Sequence, residues 1–316
     1  MKGFCVMAIK MLTPRVGLTG NITVDGVVFS DSGVIMIDNG WGIKQGREIM
    51  EELRAIDKKL IAIINTHTHL DHAGANYYLF KETGCMVYCT LYESLMVRGA
   101  KQLFPSMFTG SPNPIMDGLG IGDVLNPTDL TVIPYDGQIT IDGVTFDIIS
   151  TPGHSDGHVA VAVDNILFCG DAIVGPDWMR PRKLIYMTNP TLELQTLSKI
   201  RDSSYDLYVP SHGAPVQDPN EACDMMVEML SRIETFTREA LENGPLTLDM
   251  AVKYVSEKLS LRLRDLRTYN TARVTIQCVL NDCVMHDTMD YTVKDNLFYY
   301  KKLMPGEVRE AKRKAR

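Results

Sequence analysis

Short apolar runs at β-type spacing alternate with helical periods over the first two thirds of the chain. Ile22 to Phe29 and Val34 to Asp38 read as strands around the turn Ser32-Gly33, with Gly40 as a breaker. Met50, Leu53 and Ile56 recur at helical spacing, and Leu60 to Ile64 is a buried-strand run that ends in Asn65-Thr66-His67. Asn76 to Lys81 continues as helix, Met86 to Cys89 as strand and Leu91 to Gln102 as helix. Residues 104–129 hold four prolines and four glycines without a sustained period, which reads as a long loop, either a lid over a pocket or a surface excursion. Strand patterns resume at Thr131 to Ile133, Gln138 to Ile141, Val144 to Ser150, Val159 to Val163 and Ile166 to Cys169. Leu192 to Ile200 is a helix, and Leu207 to Val209 a last strand.

The pattern changes near residue 219. Met226, Met229, Ile233, Phe236 and Ala240 mark a long helix that stops at Gly244-Pro245. Ala251, Val255 and Leu259 mark a second helix, and Ile276, Val279 and Leu280 a third. Two β-type runs follow, Met289 to Val293 and Leu297 to Tyr300, separated by Lys294-Asp295-Asn296. This predicts a first domain of alternating strands and helices over residues 1–218 and a small, mainly helical C-terminal domain over 219–316.

Composition excludes several classes. With 316 residues, 45% hydrophobic and 22% charged, the chain is neither low-complexity nor disordered. No apolar run approaches the roughly 20 residues that cross a bilayer. Gly3 to Ile9 is apolar but is cut off by Lys10 without a small-residue cleavage site, which argues against a secretory signal. Seven cysteines without paired spacing fit a reducing compartment, so the expected location is cytoplasmic. The net charge of −7 is uneven: residues 221–316 carry 16 Lys+Arg against 15 Asp+Glu, so the acidity lies in the earlier part, with six of the seven histidines.

Those histidines carry the chemistry. His67-Thr68-His69-Leu70-Asp71-His72 gathers four ligand-type side chains on one turn, and imidazole nitrogens with a carboxylate suit Zn²⁺ or a similar transition metal. They exceed the three protein ligands usual for one catalytic zinc, so further ligands elsewhere would imply two metals. Candidates close three strands: Thr151-Pro152-Gly153-His154, Cys169-Gly170-Asp171 and Ser211-His212-Gly213. His158 reads as support for the site or its strand, and His286 as an exposed residue without function. Cys85, Cys89, Cys169 and the methionines at 225, 226 and 229 read as core.

In this order, over residues 16 to 215, the motifs resemble the metallo-β-lactamase superfamily, and in particular its glyoxalase II-like (hydroxyacylglutathione hydrolase-like) branch. Ile35-Met36-Ile37-Asp38 stands in the place of the family's early strand ending in Asp. The resemblance implies an α/β fold, a four-layer αββα sandwich with the metal site at one edge of two sheets. It implies that His67, His69 and His154 hold a first metal, that Asp71, His72 and His212 hold a second, and that Asp171 bridges them. The expected cofactors are two divalent transition-metal ions, Zn²⁺ first, with Fe²⁺ or Mn²⁺ as alternatives. Two cations about 3.5 to 4 Å apart lower the pKa of a shared water toward neutrality, and the expected reaction is hydrolysis, with Asp71 orienting the nucleophile or shuttling its proton.

Departures within the superfamily narrow the substrate. Asp171 stands where one class of zinc β-lactamases has Cys, His69 where a flavodiiron protein would have Glu, and Val174 where acyl-homoserine lactonases have Tyr. A glutathione-binding C-terminal signature is missing. The first reading is hydrolysis of an ester, thioester or lactone bond of a small molecule. The second is a phosphodiesterase or ribonuclease whose C-terminal domain, which looks like a winged helix, would bind nucleic acid through Arg262, Arg264, Arg267, Arg273, Lys301 and Lys302. A third use of that domain is homodimerisation. No membrane partner is expected.

Overall fold

A computed structural model describes residues 9–20, 23–108, 128–179 and 184–303, with 100–108 described by backbone alone. Two β-sheets face each other. The first has seven strands in sequence order: β1 (Lys10–Met11), β2 (Val16–Thr19), β3 (Asp25–Phe29), β4 (Val34–Ile37), β5 (Leu60–Ile64), β6 (Met86–Thr90) and β7 (Leu130–Ile133). The second has the order β12-β11-β10-β9-β8, from β8 (Gly137–Ile141), β9 (Val144–Ser150), β10 (Val159–Val163), β11 (Ile166–Gly170) and β12 (Leu207–Pro210).

Alternation explains the layers. In β4, Ile35 and Ile37 point between the sheets while Val34 and Met36 point outward. In β10, Val159, Val161 and Val163 face inward and Ala160 and Ala162 outward. Both faces of both strands are buried, which is why these runs read as continuous apolar stretches rather than half-polar ones. Outside the first sheet lie α1 (Gly42–Ala55) and α3 (Asn76–Thr83); Ile49 and Leu53 of α1 and Leu79 of α3, with Ala75 just before it, pack on Met36, Ile63 and Val87. The buried stripe of α1 runs through Gln45, Ile49 and Leu53 rather than through Ile56, which is the exposed C-cap residue.

Outside the second sheet lie α6 (Pro190–Arg201) and three helices of the C-terminal region: α7 (Asn220–Leu241), α8 (Leu248–Lys258) and α9 (Leu266–Met285). The fold is therefore the expected αββα sandwich with a mainly helical C-terminal region. One apolar cluster runs from Ala160, Leu167 and Tyr208 through Leu197 and Ile200 to Met226, Ile233, Val252, Ile276 and Leu280. The hairpin β13 (Met289–Lys294) and β14 (Leu297–Lys302) follows, turning at Asp295-Asn296, both at positive φ, as a two-residue hairpin turn of the favoured twist requires.

Four short elements went unread in the sequence: β1, β2, and the one-turn helices α2 (Leu70–Ala73) and α5 (Pro176–Met179). The helix α4 (Leu91–Phe108) runs six residues past Gln102, and the expected loop falls largely in residues 109–127, outside the described residues. No described helix is long and apolar enough to cross a membrane.

Candidate metal centre

Strands β4, β5 and β6 run parallel, as do β11 and β12, and β9 is antiparallel to a strand that is itself antiparallel to β11. The carboxyl ends of β4 and β5, and those of β9, β11 and β12, therefore share an edge in each sheet, where open α/β sheets place their sites. All seven predicted residues meet there. His67 follows β5, His72 lies in α2, His154 follows β9, Asp171 follows β11 and His212 follows β12.

Hydrogen bonds aim the imidazoles. Asp38, at the end of β4 with φ 58°, accepts from the Thr66 backbone N–H at 2.9 Å, the Thr66 hydroxyl at 2.7 Å and His72 Nδ1 at 3.1 Å. The Thr66 hydroxyl oxygen in turn lies 3.1 Å from His67 Nδ1, and the Tyr186 carbonyl accepts from His154 Nδ1 at 2.9 Å. With Nδ1 engaged in each of these three rings, Nε2 is the atom presented to the centre. Second partners of this kind fix tautomer and orientation in metal sites.

The inward atoms form overlapping groups: His67, His69 and His154; His67, His72 and Asp171; and Asp71, His72 and His212, each set within 4.8 Å. His69 Nδ1 is 3.1 Å from His67 Nε2 and 2.8 Å from His154 Nε2. Asp171 Oδ1 is 3.3 Å from His72 Nε2, and its Oδ2 is 3.4 Å from His154 Nε2 and 3.6 Å from His212 Nε2. Asp71 Oδ2 lies 3.3 Å from His212 Nε2. His72 Nε2 and Asp171 Oδ1 are buried without a hydrogen-bond partner. They face each other at 3.3 Å without a well-formed hydrogen bond, and both are suitable donors to a cation.

The electrostatics divide the centre. Burial, reinforced by the neighbouring imidazoles, pushes His67 well below the ordinary histidine range; burial also lowers His69, and His154 falls to about 3. For His72 and His212 burial acts in the same direction, but Asp171 and Asp71 outweigh it and raise both. Burial opposes ionisation of Asp71 and Asp171, yet His72 and His212 hold both carboxyls well below the usual range. Three imidazoles kept neutral, two whose protons the carboxylates retain, and two ionised carboxylates thus lie together, and displacement of those two protons by a cation gives a donor set that fits divalent transition metals.

His158 stands behind this group. Its Nδ1 is 2.8 Å from the Thr151 hydroxyl, and its Nε2 accepts the Asp171 backbone N–H at 3.1 Å, so it holds the Asp171 loop from behind. His286 is exposed beside Asp282 at the end of α9. Cys85, Cys89, Cys169, Met226 and Met229 are core.

Two aromatic residues at the centre escaped sequence reasoning. The Tyr186 ring lies 5.1 Å from the His69 ring, and burial raises its phenol to about 12. The Trp178 ring, on α5, lies 5.1 Å from that of His212 at an interplanar angle of 30°. Gly175-Pro176 before Trp178 is a helix-start signal that could have flagged α5. Behind Tyr186, the Ile185 carbonyl accepts the Thr275 hydroxyl of α9 at 3.1 Å.

Comparison with known proteins adds family evidence. The family described as the metallo-beta-lactamase superfamily matches residues 18–212. The chain is 24% identical over 249 residues to an atrochrysone carboxyl ACP thioesterase of Aspergillus fumigatus, covering 74% of this chain and 67% of that protein. It is 26% identical over 144 residues to a hydroxyacylglutathione hydrolase of Shewanella pealeana, covering 45% of this chain and 42% of that protein. The chain thus spans less than half the length of that hydrolase. Among solved structures, a beta-lactamase domain protein from Burkholderia ambifaria superimposes with a TM-score of 0.75 over 94% of this chain and 95% of the other, at 18% identity. A metallo-beta-lactamase family protein from Thermus thermophilus gives 0.70 over 94% and 97%, at 15% identity. At such identities the likeness concerns the fold, and it extends over the C-terminal helices.

Proposed function

Since the chain belongs to the metallo-beta-lactamase superfamily and its relatives include hydrolases, we propose that it is a binuclear metal-dependent hydrolase of an ester, thioester or lactone bond in a small molecule. The observation that carries this reading is the convergence of His67, His69 and His154 on one side and Asp71, His72 and His212 on the other, with Asp171 between them. These residues would hold two divalent cations, Zn²⁺ first. Such a pair supplies a hydroxide nucleophile near neutral pH and polarises a carbonyl oxygen.

The chain's own groups do the rest. Asp71 is the partly exposed carboxylate of the set, held ionised by His72 and His212, so it can orient the attacking water by accepting a hydrogen bond from it. The Asp38, Thr66 and Tyr186 contacts keep the imidazoles aimed without rearrangement during turnover. Tyr186 and Trp178 give the pocket aromatic walls that suit an acyl group. The relatives named as a thioesterase and a hydroxyacylglutathione hydrolase support the bond class. Residues 1–218 would carry this chemistry and 219–316 close the second sheet. Among the described residues Cys85, Cys89, Cys169, Cys223, Cys278 and Cys283 are free thiols, which supports a cytoplasmic site of action. Lys301 pairs with Asp290 and Lys302 with Glu242, which weakens the nucleic-acid reading.

The test is a paired assay of the Zn²⁺-loaded protein on chromogenic thioesters and lactones and on single-stranded RNA. Thioester or lactone turnover is expected, abolished by a chelator, restored by Zn²⁺, and reduced about a hundredfold or more by Asp71→Ala. Salt-sensitive RNA cleavage that requires Asp71, with no turnover of the small molecules, would overturn the proposal.

A further inference from the structure

Glu93 stands in the first turn of α4, 2% exposed, and its carboxylate accepts three hydrogen bonds from two different loops. Oε2 takes the Thr68 backbone N–H at 2.9 Å and the Thr68 hydroxyl at 2.6 Å. Oε1 takes the Ser155 hydroxyl at 2.6 Å. Thr68 lies between His67 and His69, and Ser155 follows His154. One side chain therefore ties together the two loops that carry three histidines of the centre.

The tie is closely fitted. The Thr90 hydroxyl, one residue before α4, donates to the Gly157 carbonyl at 2.8 Å. A Cβ at Gly157 would come within 2.7 Å of Glu93 Oε1 and 2.9 Å of Thr90 Oγ1, so only glycine lets the second loop lie this close to the helix. The loops leave different sheets, one after β5 and the other after β9. The apolar layer between the sheets sets their separation, but it is non-directional and does not fix how the loop tips face each other. A buried carboxylate with both oxygens engaged does fix it, because hydrogen bonds are directional and costly to leave unmade.

We propose that Glu93 is a positioning residue for the first metal site: by holding Thr68 and Ser155 it sets the spacing of His67 and His69 against His154. This rests on the reading of those histidines as ligands. Glu93 itself touches neither metal nor substrate.

The experiment titrates Zn²⁺ alone, against a chromophoric chelator, into the full chain and its variants. His69→Ala and His212→Ala mark which binding step belongs to which site. Glu93→Ala is expected to weaken, by about tenfold or more, the step that His69→Ala removes, and to leave the other step within about threefold. Glu93→Gln is expected to restore the weakened step, since its amide oxygen can accept from Thr68 while its NH₂ donates to the Ser155 oxygen. If Glu93→Ala does not fold, Ser155→Ala cuts one side of the tie and is expected to weaken the same step. The proposal is overturned if folded Glu93→Ala binds both equivalents as the unaltered chain does, if both steps weaken alike, or if Glu93→Gln is as impaired as Glu93→Ala. Less than one Zn²⁺ per unaltered chain would instead overturn the metal reading itself.

Discussion

Asp25 is a fully buried carboxyl held by neutral donors, the Thr23 hydroxyl and the Gln45 amide. Burial, with Asp38 nearby, raises it well above the ordinary carboxyl range, while His72 and the two hydrogen bonds only partly oppose this. In the unfolded chain the same group ionises at about 4. Between that pH and its raised folded value, unfolding releases a proton, so this residue's contribution to stability falls as pH rises through that window. Asp25→Asn is thus expected to melt at a higher temperature than the unaltered chain at pH 7, with the advantage shrinking toward pH 4; a pH-independent difference in thermal unfolding would refute this. At this scale the clustering was legible where the candidate ligands are consecutive, as in His67 to His72, or close a strand, as at Asp171. Asp25 and Glu93 were not, because a lone acid in a β or helical window has the same local pattern whether it faces water or a buried donor.

Among the elements, the strand ends decide the site. Gly170 closes β11 at φ 56°, and a Cβ there would meet His158 Nε2 at 2.5 Å and Thr66 Oγ1 at 2.6 Å. Gly170→Ala is expected to cost about 1–2 kcal/mol for the left-handed backbone alone, and more from the clash. It should also lower metal uptake, because His158 can no longer accept the Asp171 N–H. Denaturant unfolding and metal analysis of the same preparation check both parts, and unchanged uptake would count against the role given to His158. Most strands were readable because their apolar runs, alternating in β9 and continuous in β10 and β11, are bounded by turn residues such as Asp142-Gly143 and Asp164-Asn165. The first half of α9 was not: its buried positions begin only at Ala272, so the helix is held there by the Asp265–Thr268 capping box rather than by an apolar stripe.

Over the whole molecule, the apolar cluster that includes Ala160, Leu167 and Tyr208 continues without a break into Met226, Ile233, Val252 and Ile276. A chain cut after residue 218 would keep α6 on that face of the second sheet but expose the part of the cluster that the C-terminal helices cover. It is expected to be insoluble or to lack a cooperative melting transition, and a soluble fragment with a sharp transition would show that the sandwich stands without its tail. The change of pattern near 219 was visible in sequence, whereas this shared core was not, since periodicity shows that a helix has an apolar face but not what covers it.

Thr275 on α9 holds the Ile185 carbonyl, and the next carbonyl, that of Tyr186, receives the His154 Nδ1 proton. The two consecutive peptides form a short strut from the tail to the edge of the sheets, so α9 bears on the carbonyl that fixes which nitrogen of His154 keeps its lone pair. The C-terminal helices, remote from every candidate ligand in sequence, thereby help choose the tautomer of one of them.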